Sequence, residues 1–111
     1  MIDDFQIHPA ARDEFHDTLR YFGSIDLAHK SKLAFDFEAV FFDYVDVILA
    51  NPNLYNLRKH STRRVNLLPR FGEYYIAYMI WQEKVVILAV AHAKRRPYYW
   101  RDRINQSKDM F

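Results

Sequence analysis

Apolar residues in the first half of the chain recur every three or four positions, the spacing of helices that bury one side. The first predicted helix spans residues 9 to about 22 and ends at Gly23, and its apolar positions are Ala11, Phe15, Leu19 and Phe22. The second spans about 27 to 50, and its stripe is Leu33, Phe37, Val40, Tyr44 and Ile48, widened by Phe41, Val45 and Leu49. Residues 24–26 leave only a tight connection, with Asp26 as the expected cap, which predicts an antiparallel helical hairpin.

The pattern changes after Asn51-Pro52, where a residue before proline is pushed out of helical space. The polar and basic composition of residues 53–62 predicts a loop. Segments typical of β-strands follow at 64–68, 74–81 and 84–92, after a short extended segment at 5–8. The gaps between the last three segments have hairpin length, which predicts an antiparallel meander. The fold class expected is α+β, an N-terminal helical hairpin packed on a small, mainly antiparallel β-sheet.

The strand segments 74–81 and 85–90 are apolar or aromatic on both faces. Two helices cover only one face of a sheet, so the second face needs another cover. The tail from 94 to 111 is one candidate, and a partner or an exposed functional aromatic surface is the other. The residues expected in the core are Leu33, Phe37, Phe41, Tyr44, Ile48, Ile76, Tyr78, Ile87 and Ala89.

Composition narrows the class of protein. With 111 residues, of which half are apolar, the chain predicts a single domain over 1–111 with a substantial core. The absence of cysteine excludes disulfides, cysteine metal sites and thiol nucleophiles. No apolar run is long enough for a transmembrane helix, and the acidic start of the chain does not suit a secretory signal, so a cytoplasmic location is expected. We expect that the protein binds no metal ion, cofactor or small-molecule ligand and does not associate with a membrane.

The two halves of the chain carry opposite charge. Residues 1–51 hold ten acids and four bases, whereas residues 52–111 hold four acids and twelve bases. Such asymmetry favours a polyanion or an acidic partner at the C-terminal half. The alternative is that acidic helices simply pack against a basic sheet.

Most of the candidate chemistry lies between residues 92 and 103, where one histidine, five cations and three aromatic residues follow the last strand. Cations hold phosphates and aromatic rings stack on bases, so this mixture is typical of a surface that binds nucleic acid or a nucleic-acid enzyme. The candidate target- or nucleic-acid-binding residues are Arg63, Arg64, His92, Lys94, Arg95, Arg96, Tyr99, Trp100, Arg101 and Arg103.

An ordered series of short segments runs through the chain: Pro9-Ala10-Ala11, Ala50-Asn51-Pro52, Arg63-Arg64, residues 71–78, residues 87–92, Arg95-Arg96-Pro97 and residues 99–103. In this order and spacing, over roughly residues 7–103, the chain resembles the toxins of bacterial type II toxin–antitoxin modules in the RelE/ParE superfamily. It is more similar to the ParE branch, which often ends in a His-x-x-Arg-x-Pro-x-x-Trp-like segment.

The resemblance implies a cytoplasmic growth inhibitor of the plasmid-stabilisation type, held inactive by a cognate, ParD-like antitoxin. ParE members block DNA gyrase, whereas RelE members cleave mRNA on the ribosome. Antitoxin segments usually fold on their toxin. Surfaces that could receive one are the two-sided strands and the apolar belt Phe35, Phe42 and Leu49 of the second helix.

A RelE-type endoribonuclease is the alternative, because the chain contains residue types that could serve it. His92 or His60 could transfer protons, with Tyr98 or Tyr99 as another acid, and the phosphate clamps could be Arg63, Arg64, Arg95 and Arg96. Residues 74–90 are almost purely apolar, however, and lack the cations that RelE members place on their middle strands. The binding mechanism is therefore favoured. A housekeeping nucleic-acid-binding module is a third class, and it would not arrest growth.

Overall fold

The computed structural model describes residues 5–25 and 32–111. Its elements, in chain order, are β1 (Phe5–Ile7), α1 (Pro9–Ile25), α2 (Lys32–Ala50), a short 3-10 helix (Lys59–Ser61), β2 (Arg63–Leu67), β3 (Phe71–Trp81), β4 (Lys84–His92) and α3 (Asp102–Met110). The α+β class is confirmed. Among the described helices, none is both long enough and apolar enough to cross a membrane.

The sheet is mixed, with strand order β1-β4-β3-β2. Strands β2, β3 and β4 form the antiparallel meander that the hairpin-length gaps predict. Strand β1 adds to the outer edge of β4 in parallel, with Phe5 opposite Val85 and Ile7 opposite Ile87. Three residues are too few for a hydrophobic pattern to indicate a pairing direction, so the parallel edge could not be predicted.

Helices α1 and α2 cover one face of the sheet with a core rich in aromatic rings. Phe15 contacts Phe41 at a ring separation of 4.5 Å, and Phe37 contacts Phe71 at 5.2 Å. Offset and edge-on ring pairs add stability beyond the apolar area that they bury. The predicted core residues Phe37, Phe41, Ile48, Ile76, Tyr78, Ile87 and Ala89 are buried, whereas Leu33 and Tyr44 are half-buried at its margin.

Several predicted boundaries are wrong by a few residues. Helix α1 continues through Gly23 to Ile25, because the buried ring of Phe22 packs on Phe37 and Phe71, and such packing outweighs the cost of a helical glycine. Strand β2 begins and ends one residue earlier than predicted. Strand β3 begins at Phe71, which pairs with Leu67. The predicted start of the second helix at residue 27 and the cap at Asp26 lie outside the described residues.

The C-terminal segment covers the second face of the sheet. Of the two covers that the sequence allowed, the tail from 94 to 111 is therefore the one observed. Trp100 and Ile104 are buried there against the side chains of Tyr75, Ala77, Met79, Val86, Leu88, Ala89 and Ala91. Helix α3 is also tied to the start of α1. The Nδ1 atom of His8 accepts the amide of Ala10, so the Nε2–H donates to Oε1 of Gln106 at 2.7 Å.

Strand β4 contains a bulge beside the point where β1 ends. Ala77 pairs with Ala89 and Tyr78 pairs with Ile87, so Leu88 is an extra residue on β4. Beyond Ile87, which faces the last residue of β1, the outer edge of β4 has no strand beside it among the described residues. The candidate site begins at this uncovered edge.

Candidate functional site

Residues 93–101 lead from the end of β4 to the start of α3 through successive tight turns. The amide of Arg95 donates to the carbonyl of His92 at 3.0 Å, and that of Tyr99 donates to the carbonyl of Arg96 at 3.2 Å. Tyr98 adopts a left-handed backbone conformation, with φ of 60°. The segment is therefore curved, and the side chains of residues close in sequence lie on opposite faces of the sheet.

Glu14 of α1 is the centre of the largest polar cluster in the described structure. Its carboxylate accepts hydrogen bonds from Arg103 at 2.8 and 3.2 Å and from Arg95 at 3.2 Å. It also accepts the hydroxyl of Tyr99 and the amide of Val90 at 3.1 Å. The side chains of Glu14 and Arg103 are only 14% and 15% exposed, so this pair is largely desolvated. Charge-assisted bonds of this kind are the strong ones.

Glu14 and Arg103 together take the place of a strand beside the end of β4. The amide of Val90 donates to Glu14, and the carbonyl of the bulge residue Leu88 accepts Arg103 at 3.0 Å. Both backbone groups would otherwise lie unpaired at a partly buried edge, which costs free energy. The cluster thus completes the sheet and fastens the C-terminal segment to α1.

This cluster changes the roles expected for Arg95, Tyr99 and Arg103. The Arg95 guanidinium stacks on the Tyr99 ring at 3.7 Å, and all three side chains are directed to Glu14. Burial, with the hydrogen bond to the Glu14 carboxylate, raises the pKa of the Tyr99 hydroxyl. In this structure the Tyr99 hydroxyl donates its proton to Glu14 and is not directed to a site where a general acid would act. Arg103 is occupied within the fold and is not available as a target-binding cation.

Trp100 was expected on a target-binding surface, and its position contradicts this. The side chain is 3% exposed within the second core, and its Nε1–H donates to the hydroxyl of Tyr75 at 3.2 Å. Packing against the sheet together with a hydrogen-bonded indole N–H is typical of a tryptophan in the core. The neighbouring apolar face of the sheet provides the reason, since a large ring near it gains more by burial than by exposure.

His92 lies at the end of β4 on the side of α1 and α2, opposite Tyr74. Its Nδ1 accepts the amide of Lys94 at 3.0 Å, so the neutral ring carries its proton on Nε2, which points to Glu73 at 3.3 Å. Both ring nitrogens are therefore engaged. A general base needs a free nitrogen within reach of the proton that it removes, and His92 in this arrangement has none.

Arg63 and Arg64 diverge to the two faces of the sheet. Arg63 donates to the carbonyl of Tyr55 at 2.5 Å and to Oδ1 of Asn53 at 3.1 Å, which fastens the loop before β2. Arg64 lies over the ring of Tyr75 at 3.8 Å, on the face that α3 covers. His92 and Arg64 thus lie on opposite faces and border different cavities.

Three of the predicted cations are both exposed and unpaired in the part of the chain that the structure describes. The side chains of Lys94, Arg96 and Arg101 make no hydrogen bond or ion pair with any other described residue. Lys94 and His92 border a cavity of about 600 Å³ on the side of α1, whereas Arg101 borders another of about 470 Å³ that also includes His60. These three side chains remain available to a partner.

The expected nuclease candidates are divided between the two faces of the sheet. His92 and Arg95 border one cavity on the side of α1, where Arg95 is bound to Glu14, and Arg63 is bound to the loop before β2. On the far face, Arg64 and Tyr98 line one cleft, and the ring centre of His60 lies 5.7 Å from that of Tyr98. Sequence reasoning missed Glu14 and Tyr75, because only the fold brings them to the site, and no local signal marks them.

Compared with models of known protein families and with curated proteins, the chain matches none.

Proposed function

We propose that this chain is a cytoplasmic, ParE-like toxin of a type II toxin–antitoxin module, which arrests growth by binding DNA gyrase and is neutralised by a cognate antitoxin. The ordered series of segments over residues 7–103 supports the family. The helices α1 and α2 on one face of a small mixed sheet agree with the RelE/ParE-like fold that the resemblance implies.

The engagement of both ring nitrogens of His92 is the observation that favours binding over RNA cleavage. Cleavage through the 2′-hydroxyl requires a base, an acid and cations around one phosphate. His92 and Arg95 lie on one face of the sheet, whereas Arg64 lies on the other with Tyr98 and His60, so the candidate groups do not all meet around one phosphate. A binding mechanism needs none of these groups to meet.

Two exposed surfaces suit the two expected partners. Lys94, Arg96 and Arg101 supply free positive charge along the C-terminal segment for gyrase or its DNA. On α2, Phe35 and Phe42 are 68% and 44% exposed, an apolar surface that a folding antitoxin segment could bury. Leu49 of the predicted belt is instead packed against the core.

Expression in a bacterial host, followed by assays with the purified chain, tests the proposal. We expect growth arrest, inhibition of gyrase supercoiling, and no ribosome-dependent mRNA cleavage. His92→Gln should retain the arrest, because glutamine keeps a hydrogen-bonding side chain but cannot shuttle protons near neutral pH. Discrete mRNA cleavage by the wild-type chain, lost in a folded His92→Gln variant, would establish the RelE-type nuclease instead.

A charge-matched pair of variants locates the target contact. Arg96→Ala with Arg101→Ala removes two free cations of the C-terminal segment and should abolish both arrest and gyrase inhibition. Arg12→Ala with Lys84→Ala removes the same charge elsewhere and should leave both intact. Equal toxicity of the two double variants would place the contact away from Arg96 and Arg101. Lack of growth arrest by the wild-type chain would favour the housekeeping binding module.

A further inference from the structure

Ser61 lies at the tip of the short basic loop that precedes β2. The base of this loop is closed by the amide of Arg58, which donates to the carbonyl of Thr62 at 2.7 Å. The tip itself, Lys59–Ser61, is exposed. His60 and Ser61 both adopt left-handed backbone conformations, with φ of 61° and 58°. Such conformations are costly for residues other than glycine, so the tip loses strain when a partner extends it.

The sequence before Ser61 has the charge pattern of a phosphoacceptor site. Of the six serine and threonine residues in the chain, only Ser61 has an arginine three positions earlier, and Lys59 follows that arginine. Protein kinases select substrates partly by charge, and one class prefers basic residues two and three positions before the acceptor. The Ser61 hydroxyl makes no hydrogen bond with any other described residue, so it is available for transfer.

Two cations from the C-terminal segment border the same cavity as Ser61. Its volume is about 470 Å³, and its lining includes Ser61, Arg101 and Lys108, with Asp102 as the acid among them. The Arg101 side chain has no partner among the described residues, and the Nζ atom of Lys108 contacts only the ring of Trp81, at 4.8 Å. A phosphate on serine adds a charge of about −1.5 to −2 and three acceptor oxygens, which suffices to pair with both cations.

We propose that Ser61 is a phosphorylation site, and that Arg101 and Lys108 hold its phosphate in this cavity. In the transfer, the Oγ atom of Ser61 forms a bond to the γ-phosphorus of a nucleoside triphosphate, and the bond from that phosphorus to the bridging oxygen breaks. The nucleoside diphosphate leaves, and the hydroxyl proton passes to the base of the protein kinase that catalyses the transfer. This chain supplies the acceptor and the site that holds the phosphate.

Phosphorylation would withdraw Arg101 from the surface that is available to a target. Arg101 is one of the exposed, unpaired cations of the C-terminal segment. A phosphate on the same chain competes with the acidic groups of a target at high effective concentration. The phosphorylated chain should therefore arrest growth less. This consequence rests on the proposed function, whereas the modification and the phosphate site do not.

The catalytic subunit of cyclic-AMP-dependent protein kinase, supplied with ATP, tests the acceptor on the purified full chain. We expect phosphate at Ser61, located by mass spectrometry, and Arg58→Gln should lower the initial rate at least about tenfold. Arg12→Gln removes the same charge from an exposed position on α1 and should leave the rate unchanged. No incorporation, incorporation chiefly at another residue, or equal rates for the two variants would overturn the assignment of Ser61.

A chain with phosphoserine incorporated at position 61 tests where the phosphate is held. Phosphorus NMR follows its second ionisation, which ordinarily has a pKa of about 6, and the two cations should lower the midpoint by about 0.5. Arg101→Gln with Lys108→Gln should restore the ordinary midpoint. Phosphoserine at the exposed position of Ser24, in the last turn of α1, is the control and should show no decrease. An ordinary midpoint at position 61 in the otherwise native chain would overturn the phosphate site.

Growth assays separate this proposal from the proposed function. Ser61→Glu should arrest growth less than Ser61→Ala, because glutamate brings part of the negative charge of a phosphate to the same cavity. Equal arrest by the two variants would overturn the regulatory consequence. If the wild-type chain causes no arrest while the phosphoserine midpoint is still lowered, the toxin function fails and the phosphorylation site stands.

Discussion

At the residue scale, the carboxylate of Glu14 joins more elements of the fold than any of the cations that the sequence singles out. Its carboxylate joins α1, the bulged edge of β4 and the C-terminal segment. The partner groups lie between 76 and 89 residues away along the chain. A sequence places Glu14 on an early turn of α1 and gives no reason to connect it with Arg103, so such a cluster is visible only in the folded chain.

Replacing Glu14 by glutamine should destabilise the protein by about 2–3 kcal/mol. The change leaves Arg103 buried without its charge partner, and an unpaired buried charge costs more than the hydrogen bond itself. Urea unfolding of the purified variant measures the loss. Glu38→Gln, which removes the same charge from an exposed position on α2, is the control and should change the midpoint little. Equal midpoints for the two variants would contradict the structural role of Glu14.

At the element scale, the elements with a clear period could be predicted and the others could not. Helix α2 buries apolar residues at helical spacing, and strands β3 and β4 are continuous apolar segments of strand length, so the existence of all three follows from the pattern. Helix α3 buries only Ile104 and Ser107 among nine residues, too few for a recognisable stripe. Its location was still constrained, because the two-sided strands required a cover. The sequence could therefore predict that something packs on the second face but not that it is helical.

Trp100→Ala tests whether the C-terminal segment is part of the core. Truncating a buried tryptophan should cost about 3–5 kcal/mol, because it leaves a cavity over the sheet and removes the donor to Tyr75. Arg101→Ala, the adjacent exposed position, should change stability by no more than about 0.5 kcal/mol. Urea unfolding and near-ultraviolet circular dichroism measure both. A Trp100→Ala variant as stable as Arg101→Ala would show that this segment does not stabilise the sheet.

At the scale of the whole molecule, part of the opposite charge of the two halves is paired within the fold. Glu14 pairs with Arg95 and Arg103 at a largely buried site, and Asp36 on α2 pairs with Arg70 at the surface. Lys32 and Arg70 hold the pKa of the Asp36 carboxyl below its ordinary value. The interpretation that acidic helices pack against bases is thus confirmed in part. The expected polyanion or acidic partner stays a prediction, for which Arg58, Arg96 and Arg101 remain free in the described structure.

The two faces of the molecule lead to a last prediction, which separates neutralisation from toxicity. Under the proposed function, Phe35→Ser with Phe42→Ser should reduce binding of the proposed antitoxin and restore growth arrest when both proteins are expressed together, because it removes the exposed apolar surface of α2. Growth arrest by the variant alone should persist, since the free cations lie on the C-terminal segment. Leu54→Ser with Leu57→Ser removes exposed apolar residues from the loop before β2 and is the matched control. Co-purification and growth curves measure the two effects. Neutralisation that is unchanged in the phenylalanine variant, or lost equally in the leucine variant, would place the antitoxin on another surface.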